Sequence, residues 1–347
     1  MPKASIIKTR DLNLDFYKGV AIILVVIGHT LQYQLYPDSF DSSWAFKTIY
    51  SFHMPLFIIL SGAVASKWLM VYFDPMPIGR KLLIYGDRLK KSAIRLLIPF
   101  VSWTIIKYYA WGMDTGLVNY LFEVFRRPDN SLWFLLAIFY CIAIFSTLCL
   151  LIGSITIPRR TQKISCIDVN SITTKLFIVL ILWLLIKKFL PDSLGLGLAK
   201  MYLTYFILGS IGIKYVTRHM DVSLRLIPYI LFLFLIPAWD RVKPNSYSGI
   251  YGANFLGSAY PFIVALLGSL VILDLSNTLI KRVPQIFLTT LAYLGKMSLG
   301  IYALHTYFLQ ITPIILTPII ISLGISYIIL WIPGVNFLLL GEGKKFN

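Results

Sequence analysis

Charge is scarce in this 347-residue chain: 14% of its residues are Asp, Glu, Lys or Arg, while 58% are hydrophobic. Mean hydropathy is +0.77. A soluble domain cannot bury that apolar share, which leaves an all-α, polytopic membrane protein surrounded by membrane lipid. Acidic residues are scarcer still, 15 against 32 Lys plus Arg, for a formal net charge of +17. In a soluble protein that excess would point to nucleic acid. In a membrane chain Lys and Arg act as topology anchors, so no nucleic-acid partner is expected. Cysteine is nearly absent. Cys141, Cys149 and Cys166 have no paired spacing and no nearby His, which argues against a disulfide framework and a zinc site. No carboxylate cluster suggests another metal. A small-residue cleavage site is also missing after the first apolar stretch, where Gln32-Tyr33-Gln34-Leu35-Tyr36-Pro37 follows. That stretch reads as a retained helix rather than a signal peptide. No repeat stands out, and the longest loops, 67–92 and 153–173, are too short for a soluble domain. The whole of 1–347 therefore reads as one membrane-embedded domain.

What is present is a series of apolar stretches. A span needs roughly 20 mostly apolar residues. About ten fit, at 18–36, 46–66, 93–111, 131–152, 174–190, 198–216, 224–240, 256–274, 290–311 and 313–332. Basic residues fall in alternate loops: Lys3, Lys8 and Arg10; Lys67 to Lys91; Arg159, Arg160 and Lys163; Lys214 and Arg218; Lys281 and Arg282; Lys344 and Lys345. The positive-inside rule then puts both termini in the cytoplasm. Arg126-Arg127 breaks the pattern, diluted by Glu123 and Asp129.

Polar residues inside such spans are functional candidates by default. His29 is the first, near the middle of span one and roughly 16 Å in from Lys18 at ~1.5 Å per residue. Asp15, Lys18, Ile22, Val25 and His29 fall on one side of a helix, which turns that stripe towards a bundle interior. Asp15 lies about 21 Å from His29 along a straight helix, too far to orient it; Lys18, one turn on, is its expected partner. Whatever orients His29 comes from another helix, or from Gln32 or Tyr33. In span two, His53 reads equally as an interfacial structural histidine or a site residue. Pro55 should kink that helix, and Ser61-Gly62 suits close helix packing. Arg95 lies just inside the third span, where a guanidinium snorkels or binds an anion with its planar fork. Trp133 opens span four at an interface. Tyr302 and His305 share one face of span nine.

Together these segments resemble a known family over nearly the whole chain. They are Leu14-Asp15-Phe16-Tyr17-Lys18-Gly19 leading to Gly28-His29; Phe52-His53-Met54-Pro55-Leu56-Phe57 leading to Ser61-Gly62; Arg95-Leu96-Leu97-Ile98-Pro99; Leu132-Trp133-Phe134-Leu135; and Leu294-Gly295-Lys296-Met297-Ser298-Leu299 leading to Tyr302 and His305. In that order they are similar to the acyltransferase 3 family of integral membrane acyltransferases. The resemblance implies O-acetylation of a carbohydrate, either a surface polysaccharide or its lipid-linked precursor. Acetyl-CoA would be the co-substrate and the bacterial inner membrane the location. It implies a catalytic role for His29, as general base or transient acetyl carrier. Supporting polar residues would be Asp15, Lys18, His53, Ser61, Trp133, Tyr302 and His305. Lys18 stands where the family commonly has Arg, a variant similar to the fucose 4-O-acetylase-like branch. The family's third span usually carries two arginines three apart. The second corresponds to Arg95 and the first falls on Ser92, so Arg88, Lys90 or Lys91 is expected to complete the CoA phosphate site. The rival reading is a transporter or flippase for a glycolipid or small solute. The paired, Gly/Pro-broken halves of such proteins are not visible here.

Overall fold

The computed structural model describes residues 11–128, 132–154, 163–164, 167–168, 171–218, 222–240, 255–309, 311 and 314–342. The basic anchors Lys3, Lys8, Arg10, Arg159, Arg160, Lys344 and Lys345, together with Cys166, lie outside them. The chain is helical: α1 (Leu12–Thr30), α2 (Trp44–Leu69), α3 (Ile78–Ala110), α4 (Leu117–Arg126), α5 (Trp133–Ser154), α6 (Ile172–Ile186), α7 (Leu196–Arg218), α8 (Val222–Leu235), α9 (Phe255–Ile280), α10 (Gln285–Lys296), α11 (Ser298–Phe308), α12 (Leu316–Trp331) and α13 (Val335–Leu340). Among the described residues the only strands are a two-residue antiparallel pair, Lys163–Ile164 with Ile167–Asp168.

All ten stretches expected to span are largely helical. Five helical segments are long and apolar enough to cross a membrane: Leu12–Leu35, Trp44–Ser66, Trp133–Ser154, Ser193–Gly212 and Ala259–Ile280. The expected ninth span is two helices, α10 and α11, bent by 79°. Counted as one broken span, they make six. The stretch 67–92 is mostly not a loop. α2 runs to Leu69, and α3 is one 33-residue helix whose second half is the expected third span. Charge had marked this stretch as exposed, but Lys, Arg and Leu are strong helix formers whatever their exposure. α1 starts at Leu12, where the Asp11 carboxylate accepts the Leu14 N–H at 3.2 Å, and a π-turn carries the segment on to Leu35. His29 consequently stands beyond the midpoint of that segment. α2 continues as one helix through Pro55.

Two close crossings position the interior. α1 lies against α10 at Gly19 and Gly295. A Cβ on Gly19 would meet the Leu291 carbonyl oxygen at 2.0 Å, and one on Gly295 would meet that of Asp15 at 1.8 Å. α2 lies against α7 in the same way, with a Cβ on Gly62 reaching the Phe206 oxygen at 2.0 Å. Small residues let helix backbones approach without a hydrophobic driving force. Buried Lys81 adds a polar tie: its ammonium donates to the carbonyls of Tyr72 at 2.7 Å and Gly153 at 2.6 Å. These bonds join the start of α3 to the 3₁₀ turn Met70–Phe73 after α2 and to the end of α5.

Candidate functional site

His29 and His305, 276 residues apart, meet: Nδ1 of His29 lies 2.6 Å from Nε2 of His305, with the ring planes 11° apart. The bend between α10 and α11 aims α11 across the end of α1, with which it packs. Nδ1 of His305 lies 3.0 Å from the Ile301 carbonyl oxygen. A carbonyl can only accept, so this Nδ1 carries the hydrogen. In the neutral pair Nε2 of His305 then holds a lone pair and accepts the Nδ1–H of His29. Nε2 of His29 then keeps its own lone pair, and among the described residues no hydrogen bond engages it. The backbone of α11 thus sets the tautomer of α1's histidine through one intervening ring. Tyr33 and Tyr50 flank His29, with ring centroids 5.8 and 6.2 Å away. Gln32 instead accepts the Tyr50 hydroxyl.

A cavity of about 410 Å³ approaches this pair. Its rim carries Lys18, Arg88, Lys91, Ser92 and Arg95, and its walls include Val25, Met54, Phe57, Phe134 and Tyr302. Arg88, Lys91, Ser92 and Arg95 follow the i, i+3, i+4, i+7 spacing of one helix face. Arg88 lies over the Trp68 ring at 5.4 Å, and Lys91 pairs with Asp87 at 2.6 Å. Val25 is one turn before His29 and Tyr302 one turn before His305, so two cavity walls lead to the histidine pair. Lys18 and Arg95 also border a smaller pocket of about 70 Å³ at the α10–α11 bend, which includes Ser298 and Glu342.

The other expected site residues are scattered. Asp15 is buried at the α1–α10 crossing. His53 is buried and bonded at 3.0 Å to the Ile49 carbonyl of its own helix, with its ring against Tyr50. Ser61 lines the cavity, but its hydroxyl donates to the Phe57 carbonyl at 2.8 Å. Trp133 stacks on Tyr202 at 5.4 Å, and its neighbour Phe134 lines the cavity instead. Lys90 is exposed and does not line the cavity. Ser92 does line it, at the position where the resemblance lacks an arginine, with Arg88 and Lys91 beside it. Reading residues singly missed the contact between the two histidines. The signal was the recurrence of polar residues in spans one and nine. Among the described residues no group of three or more His, Cys, Asp or Glu could hold a metal.

Fold and site together define a helical integral membrane protein whose basic-rimmed cavity runs towards a histidine pair, His305 buried and His29 half-buried. Residues 11–341 match the acyltransferase domain family, and the chain belongs to that family, acyltransferase 3. It is also similar to nodulation protein NolL of Sinorhizobium fredii, 38% identical over 135 residues, which is 37% of this chain and 34% of that protein. Nodulation protein NolL of Mesorhizobium japonicum is 34% identical over 139 residues, 38% of this chain and 34% of its own length. The matches thus span about a third of these relatives. No solved structure matches.

Proposed function

We propose that the protein is a membrane O-acetyltransferase. It would move acetyl from cytoplasmic acetyl-CoA to a hydroxyl of a surface polysaccharide or a lipid-linked sugar precursor. In this reading it lies in the bacterial inner membrane with ten spans and both termini in the cytoplasm. The observation that carries the reading is the Nε2 lone pair of His29, fixed by His305 one turn beyond a cation-rimmed cavity.

The CoA phosphates meet Arg95, Arg88, Lys91 and Lys18, since arginine forks and lysine charges suit phosphate. The pantetheine arm follows the cavity along α1 towards the histidines. Nε2 of His29 takes the proton of the acceptor hydroxyl. The hydroxyl oxygen bonds to the thioester carbonyl carbon, the carbon–sulfur bond breaks, and the departing thiolate takes the proton from His29. While protonated, His29 keeps its donor bond to the His305 lone pair. In the alternative order Nε2 attacks the thioester carbon, the carbon–sulfur bond breaks to leave the thiolate and an acetyl-imidazolium, and the hydroxyl oxygen then takes the acetyl as its proton passes to the thiolate and His29 returns to neutral imidazole. Both orders need the same nitrogen. The test is acetyl transfer by purified protein given acetyl-CoA and a glycolipid extract from a deletion strain. Transfer that disappears in folded His29→Ala supports the reading. Solute flux in proteoliposomes without any acetyl transfer would replace it with a transporter.

A further inference from the structure

Neither histidine lines the cavity, and its walls include three aromatic rings, Phe57, Phe134 and Tyr302. Phe134, from the first turn of α5, sits edge-on to Phe57 of α2 at 5.5 Å and to Tyr302 of α11 at 5.6 Å between ring centroids. Phe57 and Phe134 are buried. The Tyr302 hydroxyl lies at the Phe134 backbone. Val25 is buried beside these rings on the α1 wall, and the adjacent Trp133 is held by its stack on Tyr202. The remaining distance is short: Val25 to His29 is about 6 Å and Tyr302 to His305 about 4.5 Å along their helices, at 1.5 Å per residue. An acyl carbon must come within roughly 3–3.5 Å of the attacking atom to react. Any acyl group delivered through the cavity therefore has to enter the ring collar, where every extra methylene meets close-packed core.

We infer that the Phe57–Phe134–Tyr302 collar gauges acyl chain length and restricts the donor to acetyl or a group scarcely longer. The inference rests on the acyl-CoA reading above. It identifies Phe134 as a specificity-determining residue, because that ring touches both of the others.

The experiment uses full-length purified protein with acetyl-, propionyl- and butyryl-CoA in turn, and the deletion-strain glycolipid extract as acceptor. The readout is CoA thiol release that depends on the extract. A methylene in an apolar pocket is worth about tenfold or more in kcat/KM. The wild type should therefore favour acetyl over butyryl by at least that factor. Phe134→Ala should raise the butyryl-to-acetyl ratio about tenfold or more, and Phe134→Leu should raise it by less. If Phe134→Ala does not fold, Phe134→Leu and Phe57→Leu decide. Equal use of acetyl and butyryl by the wild type overturns the collar. So does an unchanged ratio in the folded variants. A wild type that transfers no acyl group from any of the three donors overturns instead the acyl-CoA reading on which the collar depends.

Discussion

Replacing His305 with alanine should cripple transfer without touching donor binding. His305 does not line the cavity; its polar contacts are the Nδ1 of His29 and the backbone of Ile301 and Tyr302, and its ring lies 6.1 Å from that of Tyr302. Its loss leaves the His29 Nδ1–H without that acceptor. A buried donor stripped of its partner costs about 1–3 kcal/mol. It also frees the ring to place its proton on Nε2, where the lone pair is needed. At 1.4 kcal/mol per tenfold, kcat should fall about tenfold to hundredfold with the KM for acetyl-CoA unchanged. His305→Gln retains a carbonyl oxygen able to accept from His29 and should recover part of the loss. The His29→Ala/His305→Ala double variant should be no slower than His29→Ala, because His305 acts only through His29. The assay is the initial rate of CoA release with acetyl-CoA and glycolipid extract, on proteins matched by size exclusion and thermal unfolding in detergent. The reasoning is refuted if His305→Ala keeps kcat within about twofold, or if the two single losses multiply in the double variant.

Arg95→Ala should raise the KM for acetyl-CoA about tenfold, the value of one charge-assisted bond, and leave the acceptor's KM in place; initial rates at varied donor and acceptor check this. Lys91→Ala should have a smaller effect, since that ammonium already pairs with Asp87. Gly295→Ala puts a methyl within 1.8 Å of the Asp15 carbonyl oxygen and must push α1 from α10. A loss of about 3 kcal/mol or more is expected, read as a lowered unfolding temperature in detergent together with lost transfer. Lys81→Met removes two bonds to backbone carbonyls and should cost about 2–4 kcal/mol in the same unfolding measurement. Because Lys81 does not line the cavity, KM should hold in the folded fraction.

Much of this was legible in the sequence because a membrane makes polar residues conspicuous. His29, Arg95, Tyr302 and His305 each stand out against apolar neighbours, and each is found at the histidine pair or the cavity. The contact between His29 and His305 was not legible. It depends on a 79° bend after Lys296 that no proline marks. Ser61 and Trp133 were plausible by position, but their polar groups or rings are engaged elsewhere, the one by its own helix and the other by Tyr202. Phe57 and Phe134 stand within the segments that carry the resemblance but have no role of their own there, because an apolar residue in an apolar segment gives no signal until its neighbours are known. The first half of α3 reads as a loop in the sequence because charge reports exposure and not backbone conformation. The amphipathic α4 was passed over for the opposite reason, being too short to span.

The most direct test of the central claim follows labelled acetyl from acetyl-CoA into glycolipid, with wild-type protein and His29→Ala side by side. The account predicts labelled, alkali-releasable product from the wild type. From the folded variant it predicts a rate lower by about 10²–10⁴, the range of a lost general base. Undiminished labelling by His29→Ala would contradict it.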